Sequence, residues 1–156
     1  MPDAIQSRIP NNRCFGCGPL NGAGLKIKSY QVGEETICTF QPAPQHMAGP
    51  PHVLNGGIIA TVIDCHCVCT AISDAHRAAG RELGSEPLIW CVTGSLHVEY
   101  LEPVPIAAPV ELRARVRESK GRKRVVECTL ASGGRVCARA EVVAIEVPPS
   151  WREPGG

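Results

Sequence analysis

Asp64 lies in the middle of the apolar run Ile58 to Ile72, seven residues after the pair Gly56-Gly57. The run is apolar around its whole circumference, so it reads as one helix buried in a core rather than laid on a surface. An ionised carboxylate is costly there unless a cation, a metal or a reaction accounts for it. Gly57, Ala60, Thr61, Cys67, Val68 and Ala71 are its neighbours on the same helical face. None is basic and most are small. A stripe of that kind leaves space for a ligand or a second backbone, and the chemistry it suits is that of a general base or a nucleophile. The alternative is a carboxylate that caps a backbone group or reaches water.

Nine cysteines are the other potential source of chemistry. Cys14-Phe-Gly-Cys17 is a lone CxxC followed by Gly18, and a tetrahedral zinc site needs a second pair at close spacing, which Cys38 alone does not provide. Cys65, Cys67 and Cys69 fall inside the apolar helix, 65 and 69 a turn apart and 67 pointing elsewhere, and read as small buried hydrophobes. The expectation is free thiols throughout, no metal, and a tight glycine-rich turn at Cys14 and Cys17. An odd count without an export signal agrees with that.

The 156 residues fit a single domain, 1–156, large enough to build a core without staples. Net charge is +1, and no block of like charge is longer than Arg122-Lys123-Arg124. Nucleic acid is therefore excluded as the main partner, since affinity there rests on many phosphate contacts, and scarce aromatics argue against base stacking. No N-terminal segment combines a basic start with an apolar run, and no stretch is expected to span a bilayer, so the chain reads as cytoplasmic.

The elements that must position Asp64 follow from periodicity. Residues 1–12 and 148–156 read as loose tails around a core of about 24–147. Cys14 to Gly24, with four glycines and a proline, is a turn-rich connection. Leu25 to Tyr30 and Thr36 to Phe40 alternate as two short strands. A long proline-rich loop, Gln41 to Leu54, feeds into Asn55-Gly56-Gly57, and the helix runs from about Gly56 to about Arg81. Four strands follow, at Leu96 to Tyr100, Val110 to Arg117, Val125 to Ala131 and Arg135 to Val147, each with one wet face and joined by hairpins. The economical solution is an α+β fold, a curved antiparallel sheet wrapped around one long buried helix. One sheet covers only part of the helix, which predicts a dimer, with further pairing into tetramers left open.

The block His52-Val-Leu-Asn-Gly-Gly-Ile-Ile-Ala-Thr-Val-Ile-Asp64, followed by Thr93-Gly-Ser-Leu-His-Val-Glu-Tyr-Leu-Glu-Pro103, resembles the hotdog-fold acyl-CoA thioesterases of the phenylacetate-pathway, PaaI-like type. The resemblance covers roughly residues 13–147, including the opening Cys-Phe-Gly-Cys-Gly-Pro-Leu-Asn-x-x-Gly-Leu. It implies hydrolysis of thioesters of coenzyme A or acyl carrier protein with no metal and no cofactor. In that family the carboxylate at the Asp64 position is base or nucleophile, and a backbone N–H of the glycine pair, Gly56 or Gly57, holds the thioester oxygen. The start of a helix suits that task, because its unpaired N–H groups and positive dipole end favour a developing oxyanion. Gly57 and Asp64 are two helical turns apart, about ten ångströms along the axis. One helix cannot bring both to one carbonyl, so Gly57 of one subunit must meet Asp64 of the other.

The chain departs from the family at Asn55, where a histidine is usual. An asparagine amide can donate to a thioester carbonyl or cap the helix, but it cannot titrate. If the histidine acts as a donor, Asn55 replaces it; if it must change protonation, the protein is slow or inactive, and a non-catalytic acyl-CoA binding protein is the alternative that Asn55 keeps open. A hotdog hydratase or dehydratase needs a histidine paired with the carboxylate, and Asn55 counts against it. The loop position where some relatives carry Asn or Gln is Gly49, with Gln45, His46 and His52 as substitutes. Thr93 reads either as the hydroxyl that positions water near the carboxylate or as a plain β-branched strand residue. Arg122, Lys123 and Arg124 read either as contacts for the phosphates of coenzyme A or as a solvated hairpin. His66 is opposite Asp64 and structural, and His97 belongs on the outer sheet face.

Overall fold

Helix α1 spans Gly56–Ala78 because an asparagine starts it, a glycine stops it, and almost nothing between interrupts an apolar surface. Its C-terminus closes at Gly80, whose φ of 66° suits a residue without a side chain. There the Gly80 N–H donates to the Arg77 carbonyl and the Arg81 N–H to that of His76, so the helix ends three residues before Arg81. By length and hydropathy α1 is able to cross a bilayer, contrary to the sequence expectation. Most of that surface is instead covered by a sheet. The computed structural model describes residues 2–155.

The sheet has six antiparallel strands, β1 (Ser29–Val32), β2 (Glu35–Phe40), β3 (Trp90–Tyr100), β4 (Val110–Lys120), β5 (Lys123–Ser132) and β6 (Arg135–Val147), in the order β1-β2-β4-β5-β6-β3. The α+β architecture is therefore as expected. The four later strands are not a simple run of hairpins, however. β3 pairs with β6 at the far edge, and the chain crosses back to set β4 beside β2. Val110, Leu112 and Ala114 of β4, Val126, Cys128 and Leu130 of β5, and Ala138, Ala140, Val142 and Ala144 of β6 are buried and alternate with exposed or half-buried residues. The alanines let the concave face curl close around α1. The opposite face is wet and charged, and Arg117 bridges strands there to Glu127 at 3.2 Å and Glu141 at 2.8 Å.

Two boundaries differ from the sequence reading. Leu25 to Lys28 are not strand, because the Leu25 and Ile27 N–H groups donate to the Phe15 and Gly16 carbonyls and Lys26 takes a φ of 53°. Nor is the N-terminal arm loose. Ile5–Arg8 forms a turn of 3-10 helix, and Ile5, Gln6, Ile9 and Asn12 are buried. At the other end Arg152 lies over the Trp90 ring and donates to the Pro10 carbonyl at 3.2 Å.

A buried polar network anchors that arm. The Gln6 side chain takes the Ser29 N–H at 2.8 Å and donates to the Ser29 hydroxyl, which meets Nδ1 of His66 at 2.7 Å. The far ring nitrogen lies 3.2 Å from the Thr36 hydroxyl, itself 2.6 Å from that of Thr70. His66 is fully buried, structural as expected, and burial brings its pKa down to about 4. Because the folded value lies below the unfolded one, the contribution of neutral His66 is complete above pH ~6.5 and is lost as pH falls toward 4. Urea unfolding followed across that window should show stability falling by about 2–4 kcal/mol. His66→Gln should flatten the slope.

Candidate active site

Gly57, Ala60, Thr61, Asp64 and Val68 remain partly open on α1, forming a stripe that the sheet does not cover. Cys67 and Ala71, expected on the same face, are fully buried. The stripe is therefore narrower than sequence geometry implies, and it is centred on Asp64. Thr93 donates its hydroxyl to Oδ1 of Asp64 at 2.7 Å, which joins the helix to β3. The strand reaches that point through a bulge between Thr93 and Ser95, where Gly94 lies so close to Ile145 that a Cβ would come within 2.9 Å.

Among the described residues no cation pairs with Asp64. Burial raises its pKa above the ordinary carboxylate value, the Thr93 hydrogen bond lowers it, and negative charge at Cys17 adds a smaller rise. A carboxylate held open to the surface, without a counter-ion and with enhanced affinity for a proton, is equipped to act as a base.

At the other end of the stripe the Asn55 side-chain oxygen accepts the N–H groups of Gly57 at 2.7 Å and Ile58 at 3.2 Å. Two backbone donors fix which end of the amide faces the helix, so the Asn55 NH2 group points away from it. The cap also corrects the assignment within the glycine pair. The Gly57 N–H is engaged by Asn55, while that of Gly56 meets no acceptor among the described residues. The open donors are the Gly56 N–H and the Asn55 amide. Tyr100, whose role the sequence did not reveal, donates its hydroxyl to the Gly56 carbonyl at 2.8 Å and lays its ring over Gly56, where a Cβ would fall 3.6 Å away.

The basic triplet divides. Arg122 and Lys123 are exposed on the β4–β5 hairpin, but Arg124 is buried, donating to Asp74 at 2.9 Å and Glu146 at 3.2 Å. Arg124 therefore ties hairpin, helix and β6 together and is not free for a phosphate. In the preceding loop His46 is turned inward, accepting the Ala43 N–H at 2.9 Å. Gln45, Gly49 and His52 are exposed, and the His52 carbonyl takes the Ile106 N–H at 3.0 Å. His97 is exposed beside Glu99, as expected.

A curved antiparallel sheet around one apolar helix, with a carboxylate on the uncovered stripe of that helix, defines the hotdog class. A model of the Thioesterase superfamily matches residues 52–138, more than half of the chain, and the protein belongs to that superfamily. Its fold is PaaI-like. Among solved structures it is similar to a thioesterase superfamily protein from Shewanella loihica PV-4, 38% identical over 78% of this chain and 91% of that one, with a TM-score of 0.64. The fold is also shared with the PaaI protein of E. coli, at 14% identity, covering 80% of this chain and 81% of that one with a TM-score of 0.65. Among curated proteins it is similar to acyl-coenzyme A thioesterase THEM4 of Rattus norvegicus, 28% identical over 80% of this chain and 48% of the relative. THEM4 of Xenopus laevis is 29% identical over 80% and 51%. The chain spans about half the length of the curated relatives it matches.

The raised pKa of Asp64 has a stability counterpart. The folded chain holds that proton more tightly than the unfolded chain, so the contribution is present at low pH and is lost as pH rises through the folded value. Asp64→Asn is permanently neutral and keeps it. Thermal melts at pH 7 should place the variant at or above wild type, with the gap closing below the unfolded pKa of about 3.9. A variant that melts well below wild type at pH 7 would mean that the charge itself is a stabilising partner.

Proposed function

We propose that the protein hydrolyses acyl-CoA thioesters at a site shared between two copies of the chain, with Asp64 as base or nucleophile. The observation that carries this reading is Asp64 itself, uncompensated by any cation among the described residues, raised in pKa by burial and aimed into an open stripe with Thr93 on one oxygen. Two features support a dimer. The stripe leaves apolar helix uncovered, and β3 is an eleven-residue edge strand bearing exposed Leu96 and Tyr100. Pairing of two β3 edges would close both and set the Asn55 end of one α1 against the Asp64 turn of the other.

In the reaction, water beside Asp64 and Thr93 gives its proton to the carboxylate while its oxygen attacks the thioester carbon. The displaced carbonyl electrons form an oxyanion that meets the Gly56 N–H and the Asn55 amide of the partner subunit. Collapse breaks the carbon–sulfur bond, and the coenzyme A thiolate takes the proton back from Asp64, leaving a carboxylic acid. Attack by Asp64 itself, through an anhydride that water then opens, reaches the same products. Asn55 serves as an orienting donor and need not titrate. Arg122 and Lys123 are free to meet the phosphates of coenzyme A. Nine cysteines with no disulfide among the described residues fit a reducing compartment, and we place the protein in the cytoplasm.

The test is a panel of acyl-CoA substrates, followed by loss of thioester absorbance because nine cysteines would titrate a thiol dye. Asp64→Asn should lower kcat/KM by roughly 10²–10⁴-fold with substrate still bound. Wild-type kcat/KM should fall in acid, with an apparent pKa above the ordinary carboxylate value. Asn55→Asp keeps the capping oxygen but removes the amide donor; it should melt like wild type and lose about 10²-fold in kcat. Tight acyl-CoA binding without turnover in wild type would identify a binding protein instead. Unchanged turnover in Asp64→Asn would remove the carboxylate from the mechanism.

A further inference from the structure

We propose that Cys14, Cys17, Cys65 and Cys69 form a four-thiolate site for a single zinc ion, which fastens the glycine-rich loop 14–24 to α1 beside Asp64. The sulfurs converge from two segments far apart in the chain. Cys14 Sγ lies 3.6 Å from Cys65 Sγ, Cys69 Sγ lies 3.9 Å from Cys17 Sγ, and those of Cys14, Cys17 and Cys65 are all within 4.8 Å of one another. Zinc–sulfur bonds of about 2.3 Å in a tetrahedron put sulfurs about 3.8 Å apart. The Cys14–Cys65 and Cys17–Cys69 pairs are already at that spacing, the sulfurs of Cys14, Cys17 and Cys65 are within reach of one ion, and Cys69, in contact with Cys17 alone among them, completes the set by turning its side chain. Two ligands come from a CxxC turn and two from positions one helical turn apart, a pair of pairs that sequence spacing alone does not display. Four thiolates in this arrangement select zinc over magnesium, calcium or manganese.

The loop is built to hold its two sulfurs in place. The Asn12 side chain is buried, accepting the Cys14 N–H at 3.1 Å and donating its amide to Cys17 Sγ at 3.6 Å. An N–H aimed at sulfur is the support a thiolate ligand needs. The Gly18 N–H closes the turn onto the Cys14 carbonyl at 2.8 Å, and a Cβ at Gly18 would sit 2.4 Å from the Cys14 nitrogen. A Cβ at Gly16 would sit 2.3 Å from Cys65 Sγ, so only glycine lets the loop approach the helix at its ligand. Cys17, Cys65 and Cys69 are buried while Cys14 is exposed, which leaves an entry path for the ion. Packing as small hydrophobes explains buried sulfurs one at a time. It does not explain why three meet, with a fourth against one of them and an amide donor beside them.

The experiment uses the full chain purified without chelator and kept reduced with a phosphine. Elemental analysis should find about one zinc per chain, and cobalt(II) titration of the stripped protein should give the thiolate charge-transfer and visible bands of a tetrahedral sulfur site. Removing the metal should lower the melting temperature. Cys14→Ser, at the exposed rim, should fold and lose zinc affinity by at least ~10-fold, since even outer-shell changes cost that much. Cys17→Ser and Cys65→Ser should bind no cobalt, and Cys137→Ala, outside the cluster, should retain the metal. The proposal is overturned if reduced wild type carries only trace zinc and stays colourless with cobalt, if Cys137→Ala loses the metal as Cys14→Ser does, or if peptide mapping finds Cys14 and Cys65 joined as a disulfide. Zinc-loaded wild type without thioesterase activity, or Asp64→Asn with unchanged turnover, would overturn the hydrolase reading and leave the metal site standing, so the two readings fail separately.

Discussion

An apolar helix of this length has to be covered, and the sheet covers all but one seam. Alanines on the inner faces of β4 and β6 bring the strands close, while small residues on the seam keep one side of α1 low and accessible. The groups proposed to act on the thioester lie along that seam. Asn55 and Gly56 are at its head, Asp64 is two turns further on, and Thr93 reaches it from the edge strand. The hydrogen bond between Thr93 and Asp64 is thus also one of two side-chain links between helix and β3 among the described residues, the other being Tyr100 to Gly56, so a contact that orients the carboxylate helps position the strand that would meet a second subunit.

The two polar residues inside α1 make an instructive pair. His66 has both ring nitrogens partnered and its protonation suppressed, as expected of a group recruited to hold the core together. Asp64, two residues earlier and on another face, has one hydroxyl partner, no counter-ion among the described residues and an enhanced affinity for a proton. Both are polar residues in an apolar helix, yet one has its hydrogen bonds filled and the other keeps one side open. That contrast, more than burial alone, is what the role proposed for Asp64 rests on.

Periodicity made the helix, the wet and dry faces of the later strands and the position of Asp64 legible, because each depends on neighbours within a few residues. What it missed depends on contacts across the chain. β3 reads as the first of a run of hairpins, but it lies at the far edge because β6 pairs with it. The arm reads as polar and loose, but Gln6 finds Ser29 and His66. Arg124 reads as one of three surface cations, yet Asp74 and Glu146 draw it inward. The cysteines show the same limit most clearly. Cys14 and Cys17 look like half of a site whose other half is missing, and Cys65 and Cys69 look like packing. Only folding sets the two pairs side by side.

The Asn55 cap carries a consequence for heat. Its side-chain oxygen is fixed by two N–H groups of the first turn, and that attachment aims the amide outward. Helix ends fray before helices melt. Once the first turn loosens, the amide swivels and the Gly56 N–H loses its direction, while the sheet and the rest of α1 stay intact. On the proposed function, warming should therefore end turnover at a temperature where spectroscopy still sees a folded chain, and the interval between the two would measure how firmly one asparagine holds the first turn.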